Sequence, residues 1–479
     1  MPGPEHRADV LFALPHPPRR VTLLGDLPGW RAGLAERQLE QTNEGADVVV
    51  ASEDHVEAAL AYGAGAIVIE GSRSTSARVG RDASRLISLP LEGSPILFVD
   101  LDSHRAVRFA FARALGHSDV WRTLRNVAVG TAAGVGVVPP VGRTIAVLAR
   151  AHEPGFLSAA VRELGLPARS AWLMLVSPGS VVRRNAFLVF PPGARSPEYA
   201  LKFGRVRGLD AAFGREEQGF LRVSHAVASV QERAPRYLGR FAVDGFHVSG
   251  ESAAVGTRLS TTLRRPFPRW IKVSAVDRVA QWLLQVARDS ASRGGALAGE
   301  REQLERSVLP RWRPEADVEA LASELRSTPS AFQHNDLAEE NVIVRRGDFK
   351  VVDWEWAEPD GLPFGDLVYF GVHVLRLVDG VPEEAQESHF RELLLGRASS
   401  SSLFFGWVRT LARQLELPVE SVARLVTLSW IRRADLSRRE RERAERVGGA
   451  ALRPAFAERV TEIWLRDPEL GLRWRSWVD

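Results

Sequence analysis

The sequence has no cysteine. That excludes disulfides and thiolate zinc sites, and it fits a reducing compartment. Lysine is almost missing too: Lys202, Lys272 and Lys350 are the only ones, and arginine carries the rest of the basic charge. A lysine at a chemically meaningful place therefore stands out. Long apolar runs are also lacking. Met1 to Arg20 holds Pro, Arg and His but no apolar core segment of signal-peptide length, so it does not read as a signal peptide. The most apolar stretch, Val127 to Val141, is too short for a bilayer span and is interrupted by glycines and by Pro139 and Pro140. A cytoplasmic protein is expected. The net charge is only +4 over 479 residues, too little to make nucleic acid an expected partner. The arginine-rich run Arg432 to Arg446 is interleaved with Glu440, Glu442 and Glu445. Arg438 and Glu442, like Arg441 and Glu445, stand one helical turn apart, so the run reads as a solvated helix.

What is present is an ordinary globular composition, long enough for about three structural units at ~150 residues each. From Val21 to about Arg150, short apolar runs (Val21 to Gly25, Asp47 to Ala51, Ala66 to Glu70, Ile96 to Asp100) alternate with helical stretches such as Glu53 to Tyr62. Continuous apolar strands separated by helices argue for a parallel, Rossmann-like α/β domain over residues 1–150. Its first strand runs into Gly25, Asp26, Leu27, Pro28 and Gly29, not into the G-x-G-x-x-G of a dinucleotide site. A structural or partner-binding role is expected there; a bound S-adenosylmethionine or dinucleotide is the alternative. Gly130 to Gly136 looks like a phosphate loop but lacks the Gly-Lys-Ser/Thr ending, and reads as a connector.

From Ala171 the texture changes. The runs Ala171 to Val176, Asn185 to Phe190 and Tyr199 to Phe203 are separated by turn residues and predict an antiparallel sheet. A helix from about Asp210 to Val227 follows, then strands near Gly239 to Val243 and Phe246 to Gly250. The remainder is largely helical, with apolar periodicity over Ala275 to Arg288, Val318 to Leu325 and Val419 to Ile431.

The sharpest local feature is Phe332 to Val344, followed by Phe349 to Trp356. His334, Asp336 and Asn341 sit between apolar runs, so their loop is anchored on both sides. Asn341 opens the strand Val342 to Val344; a turn over Arg345 to Asp348 leads back through Val351 and Val352 to Asp353. Such a strand pair lets Asn341 and Asp353 share a cation. One amide and one carboxylate oxygen suit magnesium, which shares phosphate oxygens.

This segment resembles the catalytic region of the aminoglycoside phosphotransferase and choline kinase group, which is related in fold to protein kinases. That group's pattern is His-x-Asp, an Asn five residues after the Asp, and an Asp opening a second motif; here these are His334, Asp336, Asn341 and Asp353. The group often has glycine between the His and the Asp, where this chain has Asn335. The resemblance implies that Asp336 orients the acceptor hydroxyl and takes its proton. It further implies that His334 braces the loop and that Asn341 and Asp353 hold Mg2+. Asp366, in the stretch Gly361 to Leu367, would be a structural support for the loop.

Upstream, the resemblance makes Lys202 the strand lysine for the nucleotide phosphates, steadied by Glu216 of the next helix. Ser177 to Ser180 then falls at the phosphate-covering turn, with Gly179 and Ser180 as ATP contacts, and the adenine would lie against the backbone near Glu251 to Ala253. The implied fold is a protein-kinase-like α+β domain, with an antiparallel-sheet N-lobe over 151–255 and a helical C-lobe over 256–479. The resemblance spans about residues 170–479. The implied function is transfer of the γ-phosphoryl of ATP to a hydroxyl of a small molecule or glycan-type acceptor. The alternative is a non-catalytic kinase-like nucleotide-binding module whose N-terminal domain binds a protein partner. Trp354 and Trp356, flanking Glu355, could pack or stack on a ligand.

Overall fold

The computed structural model describes residues 4–27, 29–62, 64–71, 83–91, 94–100, 103–111, 128–132, 144–149, 154–176, 184–292, 298–312, 316–448 and 453–477. The chain forms two compact units. The first comprises Met1–Gly214 and Arg236–Val255, the second Arg215–Pro235 and Gly256–Asp479.

The first unit is built on one sheet. Its strands in chain order are β1 (Arg20–Leu24), β2 (Glu40–Gln41), β3 (Val48–Ser52), β4 (Ala66–Gly71), β5 (Ala83–Leu91), β6 (Ser94–Asp100), β7 (Thr144–Ala149), β8 (Ala171–Val176), β9 (Asn185–Phe190), β10 (Tyr199–Phe203), β11 (Tyr237–Val243) and β12 (Phe246–Ser252). Their order across the sheet is β11-β12-β10-β9-β8-β6-β5-β7-β4-β3-β1-β2. Parallel pairing joins β2, β1, β3 and β4. In β3 and β4 the near-continuous apolar runs are buried, as inner parallel strands require. From β7 onward every pairing is antiparallel. The run Ile96 to Asp100, expected as a parallel strand, pairs antiparallel with β5 and, in the register Ile96↔Val176, with β8. Periodicity shows that such a run is buried but not which way its neighbours point. Strands from residues 20–149 and from 171–252 therefore share one sheet.

The expected strands at 171–176, 185–190 and 199–203 are β8, β9 and β10, joined antiparallel. Phe187, Phe203 and Phe156 stack on one another in the core, with centroid separations of 5.0 Å for Phe187–Phe203 and 4.9 Å for Phe156–Phe203. Asp9, fully buried on the first 3-10 helix (Pro4–Ala13), accepts from Arg37 at 2.6 Å, Arg205 at 3.1 Å and Asn185 at 3.0 Å. One buried carboxylate thus ties the N-terminal segment to β9 and to the residue after next beyond β10. Burial lowers the Arg205 pKa, and Asp9 opposes that shift.

The second unit is helical around two small sheets. Strands β13 (Thr257–Arg258), β15 (Val342–Arg345) and β16 (Asp348–Val351) form one; β14 (Ala331–Gln333) and β17 (Glu358–Gly361) form the other. The helix Arg269–Ser290 buries Val276, Val279, Ala280, Leu283, Leu284 and Ala287, a stripe at the i, i+3, i+4 spacing of an amphipathic helix. Val318–Ser327 starts where Asp317 accepts the Ala320 N–H at 3.0 Å. Phe456–Arg466 starts where Glu458 accepts the Ala455 N–H at 2.9 Å. Val419–Gly448 is one continuous helix of 30 residues, joining the expected apolar helix to the arginine-rich run. Among the described residues, no helix is long and apolar enough to cross a membrane.

Candidate active site

The loop from His334 to Asn341 leaves β14 and enters β15. Two devices hold its start. The N–H groups of His334 and Asn335 both donate to Asp366, one to each carboxylate oxygen, the second at 2.8 Å. Asp366 lies in the first turn of the helix Gly365–Val378, where a negative charge is favoured by the helix dipole. Its own N–H donates to Gln333 Oε1 at 2.8 Å. Burial pushes the Asp366 pKa up, while the two backbone N–H groups favour the ionised form.

The second device is His334. It is 1% exposed, so its ring nitrogens must find partners inside the protein. Nε2 lies 3.0 Å from the Val352 carbonyl, and Nδ1 accepts the Asp336 N–H at 3.2 Å. A carbonyl on one side and an N–H on the other fix the tautomer with the proton on Nε2. The ring also packs 4.5 Å from that of Trp354, whose indole N–H reaches the Val351 carbonyl at 2.8 Å. Trp354 is thus buried in packing, whereas Trp356 lies under the Arg215 guanidinium at 5.0 Å.

Asn335 adopts φ 65, in the left-handed region that Asn tolerates better than most residues. Its Nδ2 donates to the Trp356 carbonyl at 2.9 Å, and its Oδ1 accepts from Arg432. Next to it, Asp336 stands at the turn. Asn341 Nδ2 donates to the Asp336 carbonyl at 2.8 Å and lies 3.3 Å from Asp336 Oδ2. With its nitrogen turned toward Asp336, the Asn341 oxygen is directed elsewhere. The strand pairing Val342↔Val351 and the bond from Val352 N–H to the Asn341 carbonyl, 2.9 Å, bring the two motif ends together through adjacent strands. Asp353 follows immediately, in a left-handed conformation at φ 69. His334, Asp336, Asn341 and Asp366 are thus one bonded cluster, and Asp353 lies one residue from the Val352 that both His334 and Asn341 contact.

Among the described residues no group of three or more His, Asp or Glu side chains could hold a metal alone. A magnesium ion that shares nucleotide phosphates needs only one or two protein oxygens, and an amide plus a carboxylate are oxygen donors of the right hardness. The donor set of Asn341 and Asp353 fits such an ion.

The upstream residues are distributed as follows. Lys202 belongs to the first unit, on β10. There it lies opposite Ser249 of β12, while Glu251 lies opposite Ala200. This diagonal puts the two side chains on one face, and they form an ion pair at 3.1 Å. The side chain of Glu251, whose backbone is expected at the adenine-binding segment, therefore pairs with Lys202. The N–H of Ala253 donates to the Glu198 carbonyl at 2.8 Å. Glu216 belongs to the second unit, in the helix Asp210–Ser224, and is buried. Gly179 and Ser180 lie outside the described residues, as do Gly134 and Gly136 of the phosphate-loop look-alike.

Three residues of the cluster carry no motif in the sequence. Arg433 donates to the Asn335 carbonyl at 2.6 Å, to the Asp336 carboxylate, and to the Tyr369 hydroxyl at 3.0 Å. Its guanidinium also lies 4.2 Å from the Tyr369 ring centroid. Arg432 donates to Asn335 Oδ1 and to Glu358. Expected as the start of a solvated face, these arginines instead point into the loop. The sequence does hold a signal: the apolar stripe Val422, Leu425, Val426, Trp430, Ile431 continues through buried Ala434, so residues 432 and 433 flank a buried face. Further along, Arg441 does pair with Glu445 at 3.2 Å, but Arg438 pairs with Asp435 at 3.3 Å, not with Glu442.

No protein-family model matches the chain, and no curated protein matches it. Solved structures do. The chain is similar to a thermostable mutant of aminoglycoside phosphotransferase APH(4)-Ia in a ternary complex with ADP and hygromycin B, with 13% identity, a TM-score of 0.37, and coverage of 67% of this chain and 97% of that one. It is similar to the GDP complex of wild-type aminoglycoside 2'-phosphotransferase-IIIa, with 14% identity, a TM-score of 0.36, and coverage of 64% and 98%. It is also similar to a glucosamine kinase in complex with glucosamine, ADP and inorganic phosphate, with 14% identity, a TM-score of 0.36, and coverage of 68% and 88%. Likenesses this distant do not extend to chemistry.

Proposed function

We propose that the protein is an ATP-dependent phosphotransferase acting on a hydroxyl of a small molecule or glycan-type acceptor. The observation that carries this reading is the bonded cluster of His334, Asp336, Asn341 and Asp366, with Asp353 one residue from its hub. A loop held through a buried carboxylate, two backbone amides and a fixed imidazole tautomer is a rigid mount for one carboxylate, and that carboxylate is Asp336.

In the reaction, Asp336 orients the acceptor hydroxyl and takes its proton. The acceptor oxygen forms a bond to the γ-phosphorus of ATP as the bond to the ADP oxygen breaks. Asn341 and Asp353 would hold Mg2+, which would offset charge on the phosphate oxygens. His334 and Asp366 position the loop. Lys202 and Glu216 keep the roles the resemblance gives them, the cation for the nucleotide phosphates and the carboxylate that steadies it. Catalysis of this kind is placement and electrostatics, with little covalent work for the protein.

A second reading has its own support. Arg433 occupies Asp336, as it would in a non-catalytic nucleotide-binding module. One experiment separates the two. Magnesium-dependent ADP release is measured with a panel of hydroxyl acceptors, on the wild type and on Asp336→Asn. Transfer that is lost in the variant, with nucleotide affinity retained, supports the phosphotransferase. Nucleotide binding without transfer to any acceptor supports the module, and full activity in Asp336→Asn refutes the assigned role.

A further inference from the structure

Beside Asp336 is a pocket lined by Asn335, Asp366, Tyr369, Ser429, Arg432 and Arg433. Its charge is one-sided. The oxygens of Asp366 are turned to the N–H groups of His334 and Asn335, so the ionised groups facing the pocket are the two arginines. Adjacent guanidiniums in a largely buried place repel each other. Burial, and then the charges of Arg433 and Arg439, lower the Arg432 pKa to about 9. Tyr369 and Asp336, against the cost of burial, hold the Arg433 pKa above its ordinary value. Each guanidinium is met by one carboxylate, Arg432 by Glu358 and Arg433 by Asp336, so a new anion would enter by exchange with one of these pairs.

Arg433 is also incompletely used. Of its five N–H donors, the buried Nε–H has no hydrogen-bond partner among the described residues. The partner it does hold creates a conflict. One oxygen of Asp336 is taken by Arg433 and the other faces Asn341 Nδ2 at 3.3 Å. A carboxylate that is to receive a hydroxyl proton needs an open lone pair directed at the acceptor.

We propose that this pocket takes an acceptor bearing an anionic group, a carboxylate or a phosphate, beside its reacting hydroxyl, and that this anion draws Arg433 off Asp336. The inference rests on the phosphotransferase reading and sharpens its substrate class. A carboxylate or phosphate matches the planar fork of a guanidinium and forms charge-assisted bonds with it. Its arrival exchanges one ion pair for another and frees the Asp336 oxygen for the hydroxyl. A neutral acceptor has nothing to exchange, and a cationic one meets two guanidiniums. Arg433 is then a specificity-determining residue that couples acceptor binding to exposure of the base.

The test is calorimetric titration of the full-length protein with malonate and, separately, with inorganic phosphate. Chloride at matched ionic strength is the control, and ADP with magnesium is titrated first and kept saturating. Saturable binding of either probe, lost in Arg433→Gln, is the expected result, and the probe that binds tells carboxylate from phosphate. Asp336→Asn removes the competing charge, so it should tighten anion binding by about tenfold; a merely structural Arg433 would show no such gain. This second variant decides the matter if Arg433→Gln does not fold. Nucleotide binding without anion binding, or anion binding indifferent to both substitutions, overturns the inference and leaves the phosphotransferase reading standing. Anion binding without nucleotide binding upholds the anion site and removes that reading.

Discussion

Asn335 donates its backbone N–H to the Asp366 carboxylate at 2.8 Å, and the preceding residue, His334, donates to the other oxygen. Two successive amides on one buried carboxylate fix the start of the loop as a rigid turn. Asp366→Asn keeps the shape but sets an NH2 group against one of those amides. A charge-assisted hydrogen bond is lost and a buried donor is left unpaired, so the variant should lose about 2–3 kcal/mol of stability. Phosphotransfer should fall further than nucleotide affinity. Urea unfolding alongside an ADP-release assay checks both; a stability equal to wild type contradicts the bracing role.

The left-handed backbone at Asn335 makes a second, ordered expectation. Asn335→Gly keeps the conformation and loses only the side-chain bonds to Trp356, Arg432 and Glu358. Asn335→Ala loses those bonds and adds backbone strain of roughly 1 kcal/mol. Denaturation midpoints should therefore rank wild type, then Gly, then Ala. An alanine variant more stable than the glycine variant would show that the turn is not strained.

Gly219 sits in the helix Asp210–Ser224 where a Cβ would lie 2.0 Å from the Trp354 carbonyl oxygen. On an open helix face, Gly→Ala gains up to about 1 kcal/mol. Here it should instead cost on the order of 1–3 kcal/mol, because backbone cannot yield as a flexible side chain can. It should also disturb the turn that carries Asp353. Differential scanning calorimetry of Gly219→Ala gives the sign directly; stabilisation contradicts the packing described.

The residues that form the loop cluster were more legible in the sequence than their surroundings. His334, Asp336, Asn341, Asp353 and Asp366 stand out because polar residues at fixed spacing interrupt apolar runs. Strands β8, β9 and β10 stand out because turn residues punctuate them. Less legible were features that depend on distant partners. The antiparallel seam between β6 and β8 joins residues far apart in sequence, and an apolar run does not reveal its neighbours' direction. The ion pair of Lys202 with Glu251 depends on strand register. Arg432 and Arg433 looked like members of a charged run, and only the path of the helix Val419–Gly448 turns them inward.

Asp379, at the C-terminal end of the helix Gly365–Val378, accepts from His389 at 3.0 Å, from the Ser400 hydroxyl at 2.6 Å and from Arg269 at 3.3 Å. Burial works to raise its pKa, but the bonds from His389 and Ser400 and the nearby charges leave it below the ordinary carboxylate value. A depressed carboxylate stabilises the fold above its ordinary pKa, and this contribution is lost as pH falls through the lowered, folded-state value. Asp379→Asn should thus be less stable than wild type by about 1–3 kcal/mol near neutrality. The gap should narrow as pH drops below ~4. Thermal unfolding of both proteins across that range checks it; a gap that widens on acidification has the wrong sign.

The most direct measurement is the thermal shift produced by ATP with and without magnesium, on the wild type and on Asp353→Asn. The wild type should be stabilised in a magnesium-dependent way, by about 2.7 kcal/mol when ligand reaches a hundredfold its Kd, and the variant should lose most of that gain. No shift in the wild type at millimolar ATP, or a shift indifferent to both magnesium and Asp353, would contradict the nucleotide site at the centre of the account.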